Sequence, residues 1–442
     1  MSEIDRAAPE STDILVARAG AAVVRESTAM LGGAYGRRVV VVAGKGNNGA
    51  DGRAAAAGLR RRGVRVLVID AADAPVRLPA CDLVIDAAYG TGFRGEYVAP
   101  DPGGAPVLAV DIPSGVDGST GGSGDAAVWA ARTVTFAALK PGLVLHPGVD
   151  RAGEVSLADI GLDTSGRRTH LVEAHDVSGW LPERPSETHK WKTAVWVVAG
   201  SPGMTGAAHL CSRSAMRAGA GTVRLGIPGS GPDPGAVEVV GRPLPPDDWD
   251  SAVVEDSARA RAMVVGPGLA RTDSTRRSLR RLLAASSLPA IVDADGLYAL
   301  GDRPEAAEVL RDRQAPTVLT PHEGEFARLN GAAPGAHRLD EVRDLAVGLG
   351  ATVLLKGSTT IIADPTGEVL ITNTGGSFLA TAGTGDVLAG VVGALLAQGL
   401  DGLRAAAAAA FVHGCAGRLG WRRGLVAGDL VDLLPAAIAR LS

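Results

Sequence analysis

The run AGTGDVLAG, residues 382–390, sets Gly383 and Gly385 ahead of a long apolar segment, with Asp386 directly behind them. Glycines at a helix start leave backbone N–H groups open. Those donors and the helix dipole both favour phosphate. A carboxylate would repel phosphate, so Asp386 makes sense as a base that takes a proton from a hydroxyl engaged in phosphoryl transfer. The plainer reading is an N-cap or first-turn acid. Two strand-end motifs upstream carry further titratable groups: VDADG, with Asp293 and Asp295, and TPHEGEF, with His322. The aspartates could position Mg2+ through water or close a turn. His322 could line a site or cap a helix.

The first half carries a second set. VVVVAGKGNNGADG, residues 39–52, holds a G-x-G-x-x-G pattern in Gly44, Gly46 and Gly49. After a strand this suggests a dinucleotide fingerprint, with an acid about 20 residues on, and Asp70 could serve. Yet the fingerprint needs neither asparagine nor the aspartate of Asn47, Asn48 and Asp51. DAAYGTGFRG and AVDIPSGVDGSTG follow in order. Asn48, Asp86 and Ser114 form a hard-oxygen set that suits a hard cation, and with one carboxylate a monovalent ion is easier to credit than Ca2+. The alternative is that all three brace loops through Asx-type turns. Lysine occurs only at 45, 140, 190, 192 and 356, and Lys45, Lys140 and Lys356 lie in glycine-rich motifs.

Such loops need strands and helices to hold them. STDILVARAGAAVVRESTAML reads as a helix with Ser11 or Thr12 as N-cap. RRVVVVAG, VRVLVID, CDLVIDAAYG and APVLAVDIPSG read as strands, ADGRAAAAGLRRRG as a helix, and AAVWAARTVTFAALKPG as a helix and a short strand. Buried apolar strands alternating with amphipathic helices imply a parallel sheet, whose functional loops follow the strands' carboxyl ends. The pattern fades over residues 163–190, restarts at AVWVVAGSPGMTGAAHL, and continues through VVGPGL, VDADGL, TPHEGEFARL and LLKGSTTIIADPTG. Domains are expected at 1–165 and 188–442, with a linker at 166–187. The length of 442 residues fits two domains.

Hydrophobic residues make up 46% and charged residues 21%, as in a globular chain rather than a disordered one. A net charge of −4 offers no basic field for nucleic acid or anionic membrane. Three scattered cysteines form no disulfide framework, and the start MSEIDRAAPESTD lacks a signal-peptide pattern, so a cytoplasmic protein is expected. No run of about 20 apolar residues predicts a membrane span. The Ala-rich run around residues 404–420 reads as a tightly packed helix of the interior.

The G-T-G-D run resembles the G-x-G-D motif of the ribokinase-like superfamily. Together with AGSPGMTGAAHL, RAGAGTV, VVGPGL, VDADGL, TPHEGEFARL and LLKGSTTIIADPTG, the second half resembles the ADP/ATP-dependent NAD(P)HX dehydratases. These restore NADH or NADPH from a damaged, hydrated form. GKGNNGADG, DAAYGTGFRG and AVDIPSGVDGSTG resemble the NAD(P)HX epimerase domain, the YjeF N-terminal type, over residues 11–162. The resemblance implies a Rossmann-like three-layer α/β/α domain fused to a ribokinase-like α/β domain. In it Asp386 is the catalytic acid–base residue and Gly385 part of the nucleotide and anion site. Lys356, Gly357, Ser358, Thr359 and Thr360 contact the nucleotide, and Ala207, Gly268 and His322 line the hydrated nicotinamide. In the first half Asn47, Asn48, Gly49, Ala50 and Asp51 hold substrate, as do Gly90, Thr91, Gly92, Phe93, Arg94, Gly95 and Glu96. Asn48, Asp86 and Ser114 match potassium ligands, Asp111 matches the base, and Lys140 fits the pattern as well as a structural ion pair.

The resemblance further implies Mg2+, K+, ADP or ATP as co-substrate giving AMP and phosphate from ADP, NADHX or NADPHX as substrate, and a homo-oligomer. Ala50 and Ala382 stand where the families have glycine. HKWKTA replaces a glycine-rich turn and is expected to alter a lid. The stretch before LVARAG is short. If the Ala50 departure costs anything, Ala50→Gly is expected to raise activity. Two alternatives share the motifs: a vitamin-precursor kinase with the G-x-G-D loop, and a non-catalytic, RNA-associated epimerase-like module.

Overall fold

The computed structural model describes residues 10–233 and 235–441. The chain divides into two compact units at Arg167/Arg168.

The first unit holds β1 (Arg38–Ala43), β2 (Arg65–Asp70), β3 (Leu83–Ala87), β4 (Val107–Val110), β5 (Arg132–Phe136) and β6 (Glu154–Ala158). They form one parallel sheet ordered β2-β1-β3-β4-β5-β6. Alternation sorts the β-branched strand residues between the two faces. Val39, Val41, Leu83 and Ile85 join the core under the helices Thr12–Leu31 and Asn47–Arg60. Val40, Val42, Val84 and Val107 join a separate apolar cluster on the opposite side. The layer on that side is thin. The β2–β3 connection has only the 3-10 turn Ala71–Asp73, and the β3–β4 connection has no helix. AAVWAARTVTF yields the strand Arg132–Phe136 but no helix before it, because residues 126–131 run as an irregular crossover. Ser11 is the N-cap of the first helix by backbone geometry, without a side-chain cap bond.

The second unit holds β7 (Thr169–Leu171), β8 (Ala194–Val198), β9 (Thr222–Pro228), β10 (Val239–Leu244), β11 (Ala262–Val265), β12 (Ala290–Val292), β13 (Thr317–Leu319), β14 (Thr352–Leu355), β15 (Thr360–Ala363) and β16 (Val369–Thr372). Its sheet runs β10-β9-β8-β11-β12-β13-β14-β15-β16-β7. All pairings are parallel except β14–β15 and β15–β16. Residues 166–187, expected as linker, therefore contain β7, an edge strand of this sheet, and the helix Ala174–Trp180. Three-residue strands carry too little periodicity to stand out among polar neighbours. The helix Thr384–Ala397 is buried along nearly its whole length. Beside it in the core, Ala405 to Ala410 are all buried in the helix Gly402–Leu419, where small side chains allow close approach.

Candidate active sites

In the second unit the strand ends bring Asp293, Lys356 and the head of the helix Thr384–Ala397 together. Lys356 follows β14, and its Nζ donates to Asp293 Oδ1 at 2.9 Å and stands 3.7 Å from Glu325 Oε2. Asp293 follows β12 and is 1% exposed. A Cβ at Gly385 would stand 3.5 Å from Lys356 Nζ and 3.9 Å from Asp293 Oδ2. The glycine thus keeps the space above this pair free for an approaching group.

Asp386 is in the first turn of that helix, where the dipole favours a carboxylate. Burial nevertheless pushes it up to about 6, with Asp293 and Asp295 adding to the rise and Lys356 opposing it. For Lys356, burial opposes its charge, but Asp293 and Glu325 outweigh burial and hold it above its ordinary value. The helix head is braced by His413, whose Nε2 meets the Thr384 carbonyl at 2.9 Å. Burial draws that imidazole down to about 4, so it is neutral. Ala382 has no left-handed backbone and Gly383 takes that conformation instead, at φ 88°, so the alanine fits.

Ala207 and Gly268 meet: a Cβ at Gly268 would stand 3.3 Å from that of Ala207, and its φ is 67°. Ala207 lies on the helix Gly206–Arg217, whose Leu210 touches Gly383. His322 is a cap: its Nδ1 accepts from Gly324 and Glu325 N–H at 3.0 and 3.3 Å. It also borders a cleft of about 160 Å3 with Arg271, Tyr298, Glu325 and Arg328. Asp295 is tied to Arg271 at 2.9 Å and to the Ala270 N–H at 3.0 Å, which is turn closure rather than a free ligand. Lys356 to Thr359 form the β14–β15 turn and Thr360 opens β15, with Thr359 buried and Gly357 and Ser358 exposed. The stretch HKWKTA forms a 3-10 turn, Lys190–Thr193, at the amino end of β8. That is the opposite end of the sheet from Asp293 and Lys356, so it forms no lid over them. Glu325, Arg271, Tyr298, Arg328 and His413 went unmarked as site residues, since they come from a loop and three separate helices that only the tertiary fold brings near the strand ends.

In the first unit, the residues read as the Asn47–Asp51 loop are the opening turns of the helix Asn47–Arg60. A Cβ at Gly49 would fall 1.9 Å from the Gly44 carbonyl oxygen, so only glycine permits this turn. Asp70 is ion-paired with Arg53, which removes the acid a dinucleotide fingerprint would use. Asn48 is 9% exposed, and both its side-chain polar atoms are buried without a partner among the described residues. Asp86 is buried at the end of β3. It accepts from Ser114 Oγ at 2.7 Å and Ser114 N–H at 2.8 Å. Burial pushes it up to about 6 despite these bonds. An orphaned amide oxygen and a buried carboxylate are what a bound cation would satisfy.

Asp111 follows β4 in a left-handed conformation, φ 69°. Its Oδ1 pairs with Lys140 Nζ at 2.5 Å, and that ammonium, 2% exposed in its side chain, also donates to Thr135 Oγ1 and the Phe136 carbonyl. A Cβ at Gly90 would lie 3.6 Å from Asp111 Oδ2 and 3.3 Å from Asn48 Cβ. The 90–96 loop thus meets both residues. Thr91 packs against Gly118, Phe93 against Tyr89, and Arg94 pairs with Asp117 at 3.6 Å, while Gly92, Gly95 and Glu96 are exposed.

The family described as NAD(P)H-hydrate dehydratase matches residues 195–439, and the YjeF-related protein N-terminus matches 12–77 and 69–142. The bifunctional NAD(P)H-hydrate repair enzyme Nnr of Mycobacterium tuberculosis is 43% identical over 421 residues, 87% of this chain and 83% of the relative. That of Moorella thermoacetica is 34% identical over 510 residues, covering 100% and 96%. Among solved structures, the ADP/ATP-dependent NAD(P)H-hydrate dehydratase of Bacillus subtilis, co-crystallised with ATP/Mg2+, is 30% identical with a TM-score of 0.52. It covers 61% of this chain and 98% of its own. A ribokinase-like protein of Enterococcus faecalis, 20% identical with a TM-score of 0.53, shares the fold. These matches set aside the vitamin-kinase and non-catalytic readings. The chain belongs to the family of bifunctional NAD(P)H-hydrate repair enzymes, with the YjeF-type unit first and the dehydratase unit second.

Proposed function

We propose that the second unit dehydrates (S)-NAD(P)HX to NAD(P)H at the expense of ADP, giving AMP and phosphate, or of ATP, and that the first unit epimerises the R form to supply it. The observation that carries this is Asp386, held near neutrality at a helix head beside the Lys356–Asp293 pair. A ring hydroxyl is a poor leaving group. Asp386 takes its proton as the oxygen bonds to the terminal phosphorus, and the phosphoanhydride breaks with its electron pair on the departing nucleotide. The ring-nitrogen lone pair then expels phosphate, and loss of a proton from the adjacent ring carbon restores the dihydropyridine. Gly385 and Lys356 receive the phosphate, Gly357 to Thr360 border the nucleotide, and Ala207, Gly268 and His322 border the hydrated ring.

No group of three His, Cys, Asp or Glu that could cage a metal occurs among the described residues. Mg2+ carried on the nucleotide phosphates would be held by Asp293 and Asp386 and would supply charge neutralisation there. In the first unit Asn48, Asp86 and Ser114 would hold K+. Asp111, through the oxygen not taken by Lys140, handles the proton exchanged as the hydroxyl leaves and water returns. Residues 47–51 and 90–96 hold the substrate. The expected limit of 188 would cut β7 and the helix Ala174–Trp180 from the second unit's sheet, so the working boundaries for the two activities are 1–167 and 168–442. Among the described residues no helix is long and apolar enough to cross a membrane, and all three cysteines are free, which supports a cytoplasmic protein. A homo-oligomer rests on the family resemblance, and light scattering checks it.

The test supplies mixed NADHX epimers, Mg2+, K+ and either nucleotide to the full chain. NADH absorbance should return to the level expected for both epimers. Absence of NADH with both nucleotides refutes the dehydratase reading, and recovery of only the S fraction refutes the epimerase reading.

A further inference from the structure

His413 lies in an otherwise small-residue and apolar run of the helix Gly402–Leu419, buried with Ala405 to Val412 and Gly414. Placing an imidazole there costs free energy, which is why its proton affinity falls to about 4. An apolar side chain would avoid that cost. The offsetting gain is the bond to the Thr384 carbonyl, 2.9 Å from Nε2. A carbonyl only accepts and a neutral imidazole has one N–H, so the ring proton lies on Nε2.

The carbonyl does not need this bond for its own satisfaction. In an α-helix it already accepts from the N–H four residues on, here that of Leu388. Thr384 is also tied from its side chain, whose Oγ1 donates to the Leu379 and Thr381 carbonyls at 2.8 and 3.0 Å. The peptide that follows Thr384 is thus held from two directions. Its other end is the Gly385 N–H, which points out of the helix head. The first ladder bond runs from the Val387 N–H to the Gly383 carbonyl at 3.1 Å, so the N–H groups of Thr384, Gly385 and Asp386 precede the ladder. Gly385 is the one of these that borders the Lys356 ammonium and Asp293. A hydrogen bond accepted at the oxygen of a peptide draws electrons towards that oxygen and makes the N–H at the other end a stronger donor.

We infer that His413 is a positioning residue for phosphoryl transfer: by donating to the Thr384 carbonyl it polarises and aims the Gly385 N–H that receives the terminal phosphate of the nucleotide. The inference rests on the dehydratase reading, in which Gly385 and Lys356 receive that phosphate. Charge is spread over the phosphoryl oxygens as the group moves. A donor already aimed at them stabilises that state more than the bound nucleotide. AMP lacks the transferred phosphate, so its binding is independent of His413.

The test uses the full chain. His413→Leu removes the donor at similar volume, and His413→Gln keeps an N–H near the place of Nε2. Thermal melts check that each folds, and His413→Asn, whose amide is too short to reach, stands in if His413→Leu does not. Threonine labelled with 13C at the carbonyl, combined with 15N-glycine, selects the Thr–Gly amides, of which the sequence has six. Gly385→Ala identifies the Gly385 signal by its loss. In His413→Leu the Gly385 amide proton should move upfield further than the other five. Calorimetry should show ADP bound about threefold more weakly and AMP unchanged. The kcat from (S)-NADHX should fall about tenfold, part of the worth of one such donor, with KM for (S)-NADHX within about twofold. His413→Gln should recover most of each loss. The inference is overturned if the folded donor-less variant leaves the Gly385 signal in place, if AMP weakens as much as ADP, if kcat stays within about twofold of the parent, if His413→Gln does no better, or if the parent binds no ADP. A parent chain that binds ADP but forms no NADH refutes the dehydratase reading instead, and the Gly385 signal with the ADP and AMP affinities then decides the role of His413.

Discussion

Asp386→Asn should destroy dehydration and, at neutral pH, make the second unit more stable. The carboxyl is raised from 3.8 to about 6, chiefly by burial and then by Asp293. A raised acid binds protons better in the folded state. The folded state therefore loses stability as pH rises from about 4 to about 6, and carries the whole cost above that. Two pKa units correspond to about 3 kcal/mol, and discounting for partial exposure leaves about 1–3 kcal/mol. A neutral asparagine of the same shape removes that cost. For a unit of this size the melting temperature should rise roughly 2–4 °C per kcal/mol at pH 7.5 and show no gain at pH 4. Turnover from (S)-NADHX should fall about 10²- to 10⁴-fold, the usual worth of a general base. Calorimetry of both proteins across pH 4–8, beside the NADH assay, reads both effects. Near-normal turnover would refute the base assignment. A melting temperature that fails to rise at pH 7.5, or rises equally at pH 4, would refute the electrostatic argument.

Lys140→Met should destabilise the first unit by about 3–5 kcal/mol, because it strands the Asp111 carboxylate opposite a buried apolar group. Urea unfolding measures this, and adding Asp111→Asn should recover part of the loss. In thermal melts K+ should stabilise the parent protein relative to choline at equal ionic strength, whereas Asn48→Leu should show no such difference. An equal response of both would remove Asn48 from the cation site. Ala50→Gly should lower stability by about 0.5–1 kcal/mol, seen in the urea midpoint, without raising R-to-S conversion. Ala50 lies inside the helix Asn47–Arg60 and its N–H bonds the Gly46 carbonyl at 3.1 Å, so the expected gain in activity loses its structural basis.

Much of the fold was legible because it is written locally. Runs such as Val39–Val42 and Ala262–Val265 are short, apolar and valine-bearing, and the glycines after them mark where backbone must turn sharply. Residue type and place in the strand-end and helix-start motifs marked Asp86, Ser114 and Asp386, whereas Asp111 as base and Lys356 as a nucleotide contact came from the family resemblance. The three-residue β7 and the irregular stretch before β5 were not legible, since neither has enough residues to show a period.

Chain order by itself determined which strand ends carry chemistry and in what sequence they arrive. Tertiary structure decided the partners. Lys356 finds Asp293 63 residues away, and Lys140 finds Asp111 across neighbouring strand ends. It also decided that Asn48 is buried with an unused amide, that His322 caps a helix, and that HKWKTA lies at the far end of its sheet. The physical reason is range. A turn or a strand is selected by its own few residues, whereas ion pairing, burial and the pKa of Asp386 are set by groups that only the assembled sheet brings together.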